Sequence, residues 1–134
     1  GNITCLSCED GSVVWVTQLL SPKLQTCPVF SPLCLLHYPD ETCVILGAHD
    51  GYVRCIACRS GYVQWEVDVG AVVFGAPFVY YTHRHCITKL YIIVCTTAGD
   101  VCLIEECSKG EHNPALEWKI SQKLRLPGEV FSSP

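Results

Sequence analysis

Apolar and polar residues alternate along several short stretches of the chain. Val63, Trp65, Val67 and Val69 interleave with Tyr62, Gln64, Glu66 and Asp68, and Leu116, Trp118 and Ile120 with Glu117, Lys119 and Ser121. A period of two puts alternate side chains on opposite faces, which predicts strands with one apolar and one polar face. Cys43 to Leu46 and Leu90 to Cys95 are continuous apolar runs instead, the pattern of strands covered on both faces. Glu-Asp-Gly at 9–11, Arg-Ser-Gly at 59–61 and Lys-Gly at 109–110 each stand a few residues before a tryptophan and predict turns. No stretch carries a helical period with capping residues, so an all-β chain is expected.

These elements recur. GNITCLSCEDGSVVW at 1–15 and GYVRCIACRSGYVQW at 51–65 share a glycine, both cysteines, a second glycine, a valine and the tryptophan at a shift of 50 positions. A looser third copy runs from Gly99 to Trp118, with extra residues around 109–114. The repeat positions are Gly11 and Trp15; Gly51, Gly61 and Trp65; and Gly99, Gly110 and Trp118. Prolines keep step at Pro28, Pro77 and Pro134. Each unit would supply about four strands: one after the proline, one continuous apolar strand, and a hairpin ending in tryptophan. Four-stranded units repeated every 40 to 50 residues or so are the signature of a β-propeller. The expectation is therefore a partial β-propeller of about two and a half four-stranded antiparallel blades. Residues 1–27 would end one blade, 28–76 and 77–129 form two more, and 130–134 begin the next. A ring needs at least about four blades, so this would be a fragment of a larger ring. The chain contains no methionine and enters structured sequence at once, which likewise predicts a piece of a longer protein.

The hairpin at 51–65, followed by Gly75-Ala76-Pro77-Phe78, resembles the quinoprotein (PQQ-like) propeller repeat, with Gly51, Val53, Ile56, Ser60, Gly61 and Trp65 on the motif. Ala57 and Ser7 stand where that repeat usually has aspartate. The stretch from Val53 to Val130, with its Leu126-to-Pro134 tail, is similar to the C-terminal propeller of acyl-adenylate-forming enzymes of the aminoadipate-semialdehyde-dehydrogenase type. In that family an adenylation domain and a phosphopantetheine carrier domain precede the propeller. The resemblance implies that ATP, magnesium and phosphopantetheine serve the parent and that this segment holds no cofactor. Its partners would be the remaining blades, the upstream domains, and a carrier domain or another protein. The tryptophans would be blade-to-blade anchors rather than a cofactor floor, since three at one repeat position cannot all floor one site. A quinone site would further imply a calcium-binding cluster and a vicinal disulfide, and no Cys-Cys dipeptide occurs.

Composition narrows the field. Hydrophobic residues make up 49% and charged ones 16%, which excludes intrinsic disorder. The net charge of −4 offers no footprint for nucleic acid. No apolar run reaches the 18 or so residues of a membrane helix. Eleven cysteines are an odd number, and most sit inside apolar runs, so the expectation is reduced core thiols and an intracellular, cytoplasmic setting. Cys5-x-x-Cys8 and Cys55-x-x-Cys58 have zinc-ligand spacing. Residues three apart on a strand face opposite ways, however, and the two pairs would lie on different blades. Core thiols at a repeat position are thus expected, with zinc as the alternative.

His83, His85 and Cys86 could supply three ligands but also read as a hairpin loop, and His49-Asp50 reads first as a turn. Glu105 and Glu106 are strand neighbours that cannot share a proton. Neither a Gly-x-Ser-x-Gly elbow nor a phosphate loop occurs. The expectation is a non-catalytic scaffold or interaction module of an acyl-adenylating ligase. A fragment of a PQQ-dependent dehydrogenase and a free-standing interaction propeller are the alternatives.

Overall fold

The computed structural model describes residues 1–23, 27–38, 40–84, 87–108 and 116–134. They form ten strands and no helix, so no helix is long and apolar enough to cross a membrane. Strands β1 (Asn2–Leu6) and β2 (Val13–Gln18) make a two-stranded sheet. Strands β3 (Cys34–His37), β4 (Thr42–Gly47), β5 (Tyr52–Ala57) and β6 (Val63–Asp68) make a middle sheet in chain order. Strands β7 (Phe78–Arg84), β8 (Ile87–Cys95), β9 (Asp100–Ser108) and β10 (Leu116–Arg125) make the third. Every neighbour pairing is antiparallel.

The sheets stack face to face. In the middle sheet β4 and β5 are buried along both faces, as their unbroken apolar runs require. Cys43, Ile45, Val53, Cys55 and Val67 meet Ile92, Val94, Cys102 and Ile104 of the third sheet. Leu46 and Ile56 point the other way, against Leu19, Ile3 and Trp15. Each fully buried isoleucine or leucine contributes about 1.5–3 kcal/mol relative to exposure. Strand β3 lies against β7 and β6 against β10, so strands of the same rank face each other.

The fifty-residue repeat is visible in the hydrogen bonds. Cys5 pairs with Trp15 and Leu6 with Val13; Cys55 pairs with Trp65 and Ile56 with Val63. A bulge interrupts both hairpins between those two pairs. The turns close alike, Gly11 N–H donating to Ser7 O at 2.9 Å and Gly61 N–H to Ala57 O at 2.8 Å. Both glycines need a left-handed backbone, with φ of +73° and +74°. The base of each hairpin is tied by one further bond: Leu19 N–H to Gly1 O, Val69 N–H to Gly51 O, and Leu126 N–H to Gly99 O.

Two markers fall differently from the sequence reading. Pro28 O accepts from His49 N–H at 3.0 Å, and Val72 O accepts from Thr97 N–H at 2.8 Å. Pro28 therefore corresponds to Val72 rather than to Pro77. The unit that recurs is Val29-Phe30, Val73-Phe74 and Val130-Phe131, with a proline shortly after each. Trp118 likewise does not occupy the register position of Trp65. The tie at Leu126 makes Gln122, which pairs with Leu103, the counterpart of Trp65. Trp118 pairs with Glu106 farther up a longer hairpin, and the bulge between Ile120 and Gln122 separates the two registers.

Candidate functional site

Two ends of the stacked sheets carry polar or aromatic chemistry. At the end holding the β3–β4 and β5–β6 turns, a cavity of about 570 Å³ opens between the middle and third sheets. Its floor is Trp65 of β6 stacked on Trp118 of β10, with centroids 4.6 Å apart and planes 17° from parallel. Strand alternation points Trp65 at the third sheet, while the shifted register points Trp118 back at the middle one. Asp40, Glu41, Glu66, Glu106 and Glu117 line the rim, and among the described residues no lysine or arginine lines this cavity. The Trp65 indole N–H is buried and, among the described residues, has no hydrogen-bond partner of good geometry. Its counterpart Trp15 donates to Cys58 O at 2.8 Å.

The groups inside are poorly suited to proton or acyl transfer. Burial pushes the Tyr38 hydroxyl well above the ordinary tyrosine range, and the neighbouring Trp65 indole only partly offsets this. Burial, with Cys43 beside it, pushes the Cys55 thiol far up as well. A thiol held protonated is a weak nucleophile. Glu106 and Glu105 face opposite sides of β9, and Glu105 meets Lys89 at 3.9 Å.

The other end holds the turns before β5 and β9. Arg54 is 1% exposed yet fully paired: Nη2 lies 2.6 Å and Nη1 3.1 Å from the Asp50 carboxylate, and Nε lies 3.2 Å from Glu66. Its guanidinium also sits 5.0 Å over the Tyr52 ring. Burial raises the Asp50 carboxyl, but the Arg54 bonds outweigh it and hold the group below the usual aspartate value. In the third sheet Asp100 is buried and held by Lys123 and Arg125, each at 2.8 Å.

Beside these pairs runs an aromatic ladder. Phe30 stacks on Phe74 at 5.7 Å, Phe74 meets Phe131 at 5.6 Å, and His49 sits edge-on between Phe30 and Phe74. Ser31 Oγ donates to Gly75 O, and Ala76 N–H donates to Ser133 Oγ, stitching the same loops.

Each candidate ligand can now be placed. Cys5 and Cys55 lie on strands; Cys8 and Cys58 follow them in the turns, on neighbouring sheets. Burial raises the Cys58 thiol, with Cys5 close enough to add to the effect. Among the described residues no three His, Cys, Asp or Glu groups converge as a metal site. Ten cysteines are described and all are free thiols. His49 and Asp50 do not form a dyad, because the carboxylate faces Arg54 while the imidazole joins the phenylalanines. His83 lies on β7, its Nδ1 2.9 Å from Thr88 Oγ1. His85, Cys86 and Gly110 lie outside the described residues. Sequence reasoning missed the Phe ladder and the buried Arg54. The repeated Val-Phe pair was a readable signal for the first; a lone arginine inside an apolar strand gave none for the second.

No protein-family model matches the chain. Curated relatives do. The beta-alanine-activating enzyme of Homo sapiens is 27% identical over 134 residues, covering 97% of this chain and 11% of the relative. That of Mus musculus is 29% identical over 133 residues, covering 97% and 11%. That of Danio rerio is 34% identical over 91 residues, covering 68% and 7%. The chain spans about a tenth of the length of the curated relatives it matches.

Proposed function

We infer that the chain is a segment of a quinoprotein-type (PQQ-like) β-propeller within an acyl-adenylate-forming enzyme that activates β-alanine, where it serves as a rigid scaffold or interaction module. The observation that carries this reading is the pair of hairpins fifty residues apart, matched in register, bulge and turn, on sheets stacked in chain order. On this reading the two-strand, four-strand and four-strand sheets would supply the strands of the blades proposed at 1–27, 28–76 and 77–129. The likeness to beta-alanine-activating enzymes across 97% of the chain supports such a parent. Propeller loops sit on a rigid frame and offer broad surfaces to a carrier domain or another protein.

ATP, magnesium and phosphopantetheine would act elsewhere in that parent. The carboxylates that ring the Trp65–Trp118 floor disfavour a phosphate there, since among the described residues no lysine or arginine lines this cavity, and no phosphate loop occurs in the chain. The test is removal of residues 1–134 from the full-length parent. Its β-alanine-dependent ATP–pyrophosphate exchange should survive, while transfer to the acceptor that follows should fall. Loss of the exchange itself would place activation chemistry in this segment and overturn the reading.

A further inference from the structure

The cavity between the middle and third sheets collects negative charge that little around it neutralises. Asp40, Glu41, Glu106 and Glu117 line it and, among the described residues, none of the four pairs with a cationic side chain. Glu66 is the exception, held by Arg54. The volume of about 570 Å³ falls in the range of small-molecule sites, roughly 300–1,000 Å³. Two features independent of the carboxylates narrow the ligand. The floor is aromatic: Trp65 and Trp118 are both half-buried, and a stacked pair of indoles leaves an outward π-face on each ring. A second cavity of about 610 Å³ shares Tyr38 and Glu106 with the first and is walled in part by Tyr81 and Leu90. Carboxylates and indole faces together attract a cation that carries apolar substituents, and the second cavity gives those substituents a place to lie. A bare metal ion does not fit, since among the described residues no three His, Cys, Asp or Glu groups converge.

We propose that this cavity binds the ammonium end of an ω-aminoacyl group, presented as a neutral thioester, ester or amide and not as the free amino acid. The four unpaired carboxylates accept the ammonium, and an indole face meets its charge and the methylenes beside it. The same four charges repel the carboxylate of a free amino acid. Conversion to a thioester, ester or amide removes that charge and leaves a carbonyl, for which Tyr38 and Gln64 in the wall carry neutral donors. The site therefore distinguishes an acyl group after activation from the same acid before it. That the group is β-alanyl rests on the parent being a β-alanine-activating enzyme; the preference for an ammonium with a neutral carbonyl rests on the cavity alone. The role is binding and not transfer, since burial keeps the Tyr38 hydroxyl and the Cys55 thiol protonated.

The test is equilibrium dialysis of radiolabelled β-alaninamide against the full-length parent and against Glu106→Gln/Glu117→Gln in the same parent. Both side chains are exposed, so the double variant should keep the fold. It should weaken one class of bound label by about ten-fold or more, and Trp118→Leu should do the same. Propanamide, which lacks the ammonium, and free β-alanine should each displace that class about ten-fold less well than unlabelled β-alaninamide. If Trp118→Leu does not fold, the glutamine variant decides alone. Unchanged binding in the glutamine variant would overturn the proposal, as would displacement by propanamide or free β-alanine as effective as by the amide. ATP–pyrophosphate exchange separates this outcome from the functional reading. Label lost on glutamine substitution, in a parent that exchanges with no β-alanine, would sink the functional reading and leave the cavity's preference standing. Unaltered label in a parent that does exchange with β-alanine would do the reverse.

Discussion

Ile56 and Leu6 hold the same register position in two hairpins of the same shape, and one is sealed while the other is more than half exposed. Nothing in the hairpins themselves accounts for the contrast. Turn, bulge and left-handed glycine are equivalent in both, because they depend on neighbours within a few residues. What differs is the next layer. The middle sheet has a sheet on each face, whereas the two-stranded sheet is covered on one. Local sequence thus builds the same object twice, and stacking sets how much each copy contributes to stability.

The largest break in that contrast should come from Arg54. Arg54→Leu leaves Asp50 buried without its guanidinium and should cost about 3–5 kcal/mol in urea unfolding of the 134-residue chain. Thr4→Leu, at the corresponding exposed position of β1, should stay within about 0.5 kcal/mol. Similar costs at the two sites would mean that the middle sheet is no better covered than its neighbour.

Next in size is the aliphatic pair. Ile56→Ala should lose about 2–5 kcal/mol as a cavity opens in a sealed core, and Leu6→Ala no more than about 0.5 kcal/mol. The tryptophans should differ less. Trp15→Phe removes the bond to Cys58 O, whereas the Trp65 indole N–H has no partner of good geometry among the described residues, so the first should cost about 1 kcal/mol more than the second. Equal losses would show that the Cys58 bond contributes nothing net.

The smallest effect near neutrality is that of pH. The folded Asp50 carboxyl titrates below its ordinary value, so its stabilisation is present above about pH 3.9 and is lost as pH falls through the folded value. The melting temperature should therefore drop at low pH. In Arg54→Leu the contributions of the guanidinium are gone and burial is opposed only by the bonds from Tyr52 N–H and Cys27, so the acid-induced drop should shrink. A thermal-shift series on both proteins checks the difference.

Much of this architecture is legible before any coordinates. Alternation around Trp65 marked β6, and the continuous run at Cys43 to Leu46 marked a strand with two covered faces. What escaped depends on how the strands and sheets are placed against one another. Arg54 looks like a strand's solvent-facing residue until Asp50, Leu20 and Tyr52 surround it. Trp118 looks like a third copy of Trp65 until the bulge before Gln122 moves it to the opposite side. The prolines were easier to see than the Val-Phe pairs, yet the phenylalanines are what stack.

By itself, then, the sequence determined the hairpins, their turns and their fifty-residue recurrence, since each arises from backbone preferences and side-chain alternation over a dozen residues. Only the tertiary structure decided which faces are covered, which tryptophan meets which, and that the Arg54–Asp50 pair is sealed from water. Those outcomes turn on a single-residue shift in register and on surfaces contributed by other strands and sheets, and no local preference encodes either.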